Sequence, residues 1–192
     1  MVQKRISHAK DRMEAHSLPC PPFYSKSQKG VFPYMKEILS HYSIHKNTIS
    51  LLPAKHIDYY TIVLEQNRYI YVKQTPIEII KNSCLNRYTT YEGVREAVYH
   101  YTGFKRKVPI PINPHQNIYF FPTHATNDYE CCWISCDHVL QINQTTKSSS
   151  SLTFNNGKTI QFDVSTYSLK KQMQRTLECM YSYMDSQLYS TV

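Results

Sequence analysis

Six cysteines and nine histidines are the residues of this 192-residue chain best suited to catalysis or metal binding. Cys131, Cys132, Cys136 and His138 form the tightest group. A structural zinc ion asks for four ligands in a tetrahedron, usually supplied as closely spaced pairs. The C-x3-C-x-H spacing here is not such a pair, and on a strand Cys132, Cys136 and His138 would stand in a row on one face. A second pair would have to come from Cys84 with His100 or His124. A thiol nucleophile needs a histidine and a recognisable flanking motif, and neither Cys84 nor Cys132 has that motif. Four glycines leave no room for a phosphate-cradling loop, and no serine or aspartate stands in the context of a catalytic triad. The cysteines therefore read as small core hydrophobes. The expectation is a protein that is not an enzyme, with no catalytic residue, no metal and no cofactor.

The cations carry a stronger signal. The formal net charge is +8 and the isoelectric point is near 9.1, which favours an acidic partner, either nucleic acid or an anionic membrane surface. Residues 81–107 hold Lys81, Arg87, Arg95, Lys105, Arg106 and Lys107 against Glu92 and Glu96, so this short segment carries +4. Clustered cations beside a proline-set extended segment suit phosphate contact and entry into a narrow A/T-rich groove. Arginine reads such a groove well because its guanidinium is weakly hydrated. The candidate DNA-binding residues are Arg87, Arg95, Lys105, Arg106 and Lys107. The competing reading is an ordinary solvated turn. Trp133 and Phe120-Phe121 could stack on bases, but they sit in apolar runs, and core packing is the expectation.

The elements that would position these residues are legible in outline. Residues 1–41 hold seven cations against three acids and the Pro19-Cys20-Pro21-Pro22 cluster, and they read as a loosely held basic N-terminal extension. Met1 to Asp11 contains no apolar run and no stretch approaches the ~20 apolar residues of a membrane helix, so a cytoplasmic location without membrane contact is expected. Residues 42–192 read as a single domain. Thr48 to Leu52 is a short apolar strand stopped by Pro53. Tyr59 to Glu65 and Tyr69 to Lys73 read as a hairpin. Thr75 to Ile80 reads as a strand start or edge, with Pro76 at its head. Helical spacing of Tyr91, Val94, Val98 and Tyr101, a Thr89 or Thr90 cap and Gly103 at the stop predict a helix over Tyr91 to Thr102. Pro109, Pro111 and Pro114 make the next stretch an extended connection. Asn117 to Phe121 is a strand, and Cys131 to Ile142 reads as one longer strand. Asn156-Gly157 marks a hairpin between Leu152–Phe154 and Thr159–Val164. From Leu169 an apolar stripe of Leu169, Met173, Leu177, Met180, Met184 and Leu188 predicts a long C-terminal helix with a core or dimer face. The fold class expected is α+β, mostly antiparallel sheet with a short middle helix and a long C-terminal helix.

Several strings in this layout belong together. They are Thr75-Pro76-Ile77-Glu78-Ile79-Ile80, Ser83-Cys84, Tyr91-Glu92-Gly93-Val94-Arg95, the run from Lys107 to Pro111, the run from Asn113 to Thr123, Cys132-Trp133-Ile134-Ser135, and Phe154-Asn155-Asn156-Gly157-Lys158-Thr159. In combination they resemble the ComK family of competence transcription factors over roughly residues 42–178. The resemblance implies a transcription activator of DNA-uptake genes that reads paired AT-rich boxes of double-stranded DNA through the minor groove. It implies a homodimer or higher oligomer, with RNA polymerase and a Clp-protease adaptor as possible protein partners, in the cytoplasm at the nucleoid. Past Tyr183 only Met184 to Val192 remain, without the extended tail of the longest members. That motivates the alternative of a regulatory paralogue that binds DNA or partner subunits without activating.

Overall fold

A computed structural model describes residues 37–189. Ten strands and three helices follow one another as β1 (Ile38–Leu39), β2 (Thr48–Pro53), β3 (Thr61–Glu65), β4 (Tyr69–Val72), α1 (Pro76–Leu85), α2 (Tyr91–Thr102), β5 (Ile110–Asn113), β6 (Ile118–Pro122), β7 (Trp133–Ser135), β8 (Val139–Gln144), β9 (Ser150–Phe154), β10 (Thr159–Phe162) and α3 (Thr166–Tyr189). Seven strands form one sheet in the order β1-β4-β3-β2-β7-β6-β5, and three form a second in the order β10-β9-β8. Every pairing is antiparallel except β1 with β4. This is the expected α+β class. Of the 1–41 extension, only residues 37–41 are described, and β1 lies there; the rest falls outside the described residues.

β3 and β6 are buried at every position, as are β7 and nearly all of β2. Alternate side chains point to opposite faces, so the middle of the large sheet is covered on both sides. Trp133, Tyr119, Phe120, Phe121 and Phe154 are the bulkiest fully buried groups. They are core, as their apolar context predicts. Burial of one such ring stabilises the fold by ~2–3 kcal/mol.

The β3–β4 hairpin and the β9–β10 hairpin lie where the sequence places them. Two segments do not. Thr75 to Ile80 is the start of α1, because Thr75 and Glu78 form a reciprocal capping box and Pro76 fills the first turn. Thr75 Oγ1 accepts from the Glu78 amide at 3.4 Å, and the Glu78 carboxylate accepts from the Thr75 amide at 2.7 Å. Cys131 to Ile142 is two strands rather than one. β7 ends at Ser135, a 3₁₀ turn over Cys136–His138 redirects the chain, and β8 joins the small sheet. The proline-rich connection contains β5, which is the outer strand of the large sheet, where proline is tolerated.

α2 has the predicted bounds. Thr90 caps it through the Gly93 amide, and Gly103 ends it at φ 73° with its amide on the Tyr99 carbonyl. α3 begins after Ser165, whose hydroxyl accepts from the Ser168 amide at 3.3 Å. Its apolar stripe is only partly inward. Leu169 is buried and Met173 and Met180 pack against the core, but Leu177 and Met184 are exposed. The buried face instead runs through Leu169, Gln172, Thr176 and Cys179, two of which are polar and satisfied by hydrogen bonds. α3 lies along β6 and β8 and meets α2, and this sets the C-terminal end of α2 beside the first turns of α3.

Candidate nucleic-acid interface

The chain leaves α2 at Gly103 and enters β5 at Ile110, and the Lys105-Arg106-Lys107 triplet lies in between. Two side chains of α3 hold that loop. Gln172 is buried, and its amide nitrogen donates to the carbonyls of Lys107 at 2.9 Å and Pro122 at 3.0 Å. The Arg175 guanidinium lies 4.2 Å from the Phe104 ring centre, donates to the Arg106 carbonyl at 2.7 Å and donates to the Gln172 side-chain oxygen at 2.8 Å. Burial lowers the pKa of Arg175, with Glu178 acting the other way. An arginine starts so high that it stays charged.

The result is an open groove of about 380 Å³ between the loop and α3. Lys105 and Arg106 form one wall, and Lys171, Gln174, Arg175 and one acid, Glu178, form the other. Lys105 Nζ lies 5.5 Å from the centre of the Tyr99 ring. Among the described residues, the ion pairs are His45–Glu65, Lys55–Glu130, His56–Asp58, Arg68–Glu65 and Lys81–Glu92, so no cation of this groove is held in an ion pair. Four cations from two segments some 65–70 positions apart in sequence thus face one solvent-filled recess.

The five candidate residues do not form one cluster. Lys105 and Arg106 are exposed at the groove, but Lys107 turns inward and donates to the Thr123 carbonyl at 2.9 Å. Arg87 is exposed in the turn before α2, so the helix separates it from Lys105. Twelve residues at 1.5 Å each make that separation roughly 18 Å. Arg95 lies between them on α2, half-buried, 5.6 Å from the Tyr91 ring centre. Glu92 and Glu96 are exposed on the same helix, and Glu92 pairs with Lys81 at 3.3 Å. The middle of α2 is therefore close to neutral, and the unmatched charge is at its C-terminal end and on α3. Sequence reasoning did not include Lys171 and Arg175, which line this groove, among the candidates. Their signal was present in a weak form: cations near a helix start run against the dipole preference.

The cysteine and histidine side chains go elsewhere. Cys131 Sγ lies 3.6 Å from the His124 carbonyl, Cys136 Sγ lies 3.4 Å from Met173 Sδ, and His138 Nδ1 meets Ser135 Oγ at 3.0 Å. Burial pushes the thiols of Cys84, Cys131, Cys136 and Cys179 up to about 11, which keeps them protonated at neutral pH. Among the described residues, no three His, Cys, Asp or Glu side chains converge as metal ligands, and no helix is long and apolar enough to cross a membrane.

The family described as ComK protein matches residues 39–187, which include both walls of the groove. The chain belongs to the ComK family. It is 32% identical over 140 residues to the competence transcription factor of Bacillus subtilis (strain 168), covering 72% of each chain. No solved structure matches it. In this ComK-family chain the match begins at Leu39, inside β1, so the parallel β1–β4 edge falls at the start of the shared region.

Proposed function

We propose that this ComK-family protein is a competence transcription regulator that activates genes for DNA uptake. It binds A- and T-rich double-stranded DNA, entering the minor groove, and its dimer or higher oligomer sets the spacing of two boxes. Residues 42–192 act as the DNA-binding unit, with β1 of the preceding segment added at the edge of its large sheet. The protein works without catalysis in the cytoplasm at the nucleoid, with RNA polymerase and a Clp-protease adaptor as its protein partners.

The observation that supports this reading best is the excess of four cations, Lys105, Arg106, Lys171 and Arg175, over one acid, Glu178, around one open groove. A phosphate backbone balances the excess positive charge of such a groove, and each phosphate neutralised releases counterions. Arg87 and Arg95 contact the duplex apart from this groove, before and within α2, and Lys107 contributes by fixing the loop that presents Lys105 and Arg106. The test is a competition shift assay at fixed salt with AT-rich against GC-rich duplex. Wild type should prefer the AT-rich duplex. The Lys105→Ala/Arg106→Ala double variant should bind more weakly, and its log K against log salt slope should be shallower by about 2. Equal binding to both duplexes removes the A/T reading, and an unchanged slope removes the groove from the interface.

A further inference from the structure

We infer that Tyr88 is a wedge that stacks against a base step of bound double-stranded DNA. This inference rests on the DNA-binding reading and adds to it a residue outside the cationic groove.

Tyr88 sits in the turn between α1 and α2 with φ 60°. A side chain in the left-handed region clashes with its own backbone, and bulky residues are rare there. Among the described residues, that preference is obeyed at three of the other four positive-φ positions, which are Gly103, Gly157 and Asn117. At Tyr88 it carries one of the largest side chains instead. The turn is also pinned. The Arg87 amide donates to the Cys84 carbonyl at 2.8 Å, the Tyr88 amide to the Leu85 carbonyl at 2.9 Å, and the Thr89 amide to the Cys84 carbonyl at 3.3 Å. The backbone cannot relax to draw the ring inward. The ring is accordingly fully exposed, at 103%, and Leu85 beside it is 58% exposed.

Both choices, the strained backbone and the unburied ring, work against stability of the free protein. Strain held by surrounding hydrogen bonds is characteristic of binding sites. The chemistry of the tip identifies the partner. An apolar ring held outward can enter a base step and partly unstack it, as wedge side chains do in minor-groove proteins. Pyrimidine–purine steps such as TA unstack most easily, and an A/T-rich box supplies them. The phenol hydroxyl is a donor at the far end of the ring, and the minor groove of an A·T pair offers only acceptors. Arg87, exposed next to it, supplies a cation for the adjoining phosphate or for the groove floor. Glu92 is the nearest acid of α2 in sequence and pairs with Lys81, which limits its repulsion of a phosphate at this turn.

The experiment uses the full chain and AT-rich duplexes in which 2-aminopurine is moved stepwise through the box. Wild type should raise the fluorescence at one step, because unstacking relieves quenching. Tyr88→Asn suits the left-handed backbone and removes the ring; it should abolish the rise and weaken binding by about 5- to 100-fold with the salt slope unchanged. Tyr88→Phe should keep the rise. Tyr88→Gly serves if the Asn variant does not fold. A wild-type protein that binds with no rise at any step overturns the wedge, and so does a Tyr88→Asn variant with wild-type fluorescence and affinity. Loss of self-association in Tyr88→Asn by sedimentation, with the rise intact, also overturns it and assigns the ring to a protein contact. A wild-type protein that ignores AT-rich duplex in dilute buffer sinks the DNA-binding reading itself, and the wedge with it.

Discussion

Replacing Gln172 with leucine tests whether a single buried amide holds the cationic loop in place. Its nitrogen serves two backbone carbonyls, those of Lys107 and Pro122, and its oxygen serves Arg175. Leucine nearly matches the volume and removes all three contacts. A buried polar group that loses its partner costs ~1–3 kcal/mol. Pro122 is buried and bears the larger cost, whereas Lys107 is half-buried and can recover part of its cost from water. The leucine itself contributes about 1 kcal/mol of apolar burial in return. The net loss is about 2–4 kcal/mol. A urea m-value of ~2 kcal/mol/M turns that into a midpoint lower by about 1–2 M. The control is Gln174→Leu, two positions away and exposed, which should move the midpoint by no more than about 0.3 M. Freed of Gln172, the loop should also present Lys105 and Arg106 less precisely, and DNA affinity should fall while the salt slope keeps its sign. If Gln172→Leu matches Gln174→Leu in urea, the amide is not the pin that its geometry describes.

Two further outcomes follow from polar groups of the fold. Thr75→Ala removes the hydroxyl half of the capping box and should destabilise the protein by about 1 kcal/mol in denaturant titration; no change would mean Pro76 and Glu78 suffice to start α1. Burial of Glu65 opposes its ionisation, but hydrogen bonds from Arg68 at 2.8 Å and the Tyr42 hydroxyl at 2.8 Å outweigh this, and its pKa lies below the ordinary 4.5. A depressed folded-state pKa contributes stability above the unfolded-state value and loses it as pH falls through the folded value. Stability should therefore decline below about pH 4.5, and Glu65→Gln should flatten that decline. An equally steep decline in the Gln variant would place the acid sensitivity elsewhere.

Where the sequence was misleading, competing local signals explain why. Thr75 to Ile80 reads as a β-rich string because Ile77, Ile79 and Ile80 favour strands. Yet Thr-Pro-Ile-Glu also has a cap, a first-turn proline and a reciprocal acid at the right spacing, and the capping box prevails. Cys131 to Ile142 alternates around Trp133 and Val139, and nothing in that pattern reveals that His138 bonds to Ser135 and the chain turns between sheets. The α3 stripe misplaced the buried face because Gln172 and Thr176 are polar. Their burial depends on carbonyls supplied by tertiary structure or by the preceding helical turn. The hairpins and α2 were legible because local turn and cap chemistry agrees with the tertiary fold there. The groove was only half legible: Lys105 and Arg106 stand out as a run, whereas Lys171 and Arg175 join them only because α3 packs beside the end of α2.

Lys171 and Arg175 share a wall, and the structure gives them separable jobs. Lys171 is exposed, with its ammonium 6.0 Å from the exposed Tyr167 ring, and no ion pair among the described residues uses it. Removing its charge should leave stability within about 0.5 kcal/mol. If it meets a phosphate, Lys171→Ala should make the salt slope shallower by about 1. Arg175 has the same formal charge, but its guanidinium is committed to Phe104, the Arg106 carbonyl and Gln172. Arg175→Ala therefore removes a hydrogen bond from each of two groups and a cation–π contact, together worth about 2–3 kcal/mol of stability. Arg175→Lys keeps the charge but loses the planar fork, so it should lower the urea midpoint while leaving most of the salt slope. The pair thus distinguishes a charge that serves the ligand from one that serves the fold. Should Lys171→Ala destabilise the protein as much as Arg175→Ala, or Arg175→Lys behave as wild type in urea, that division of labour is refuted.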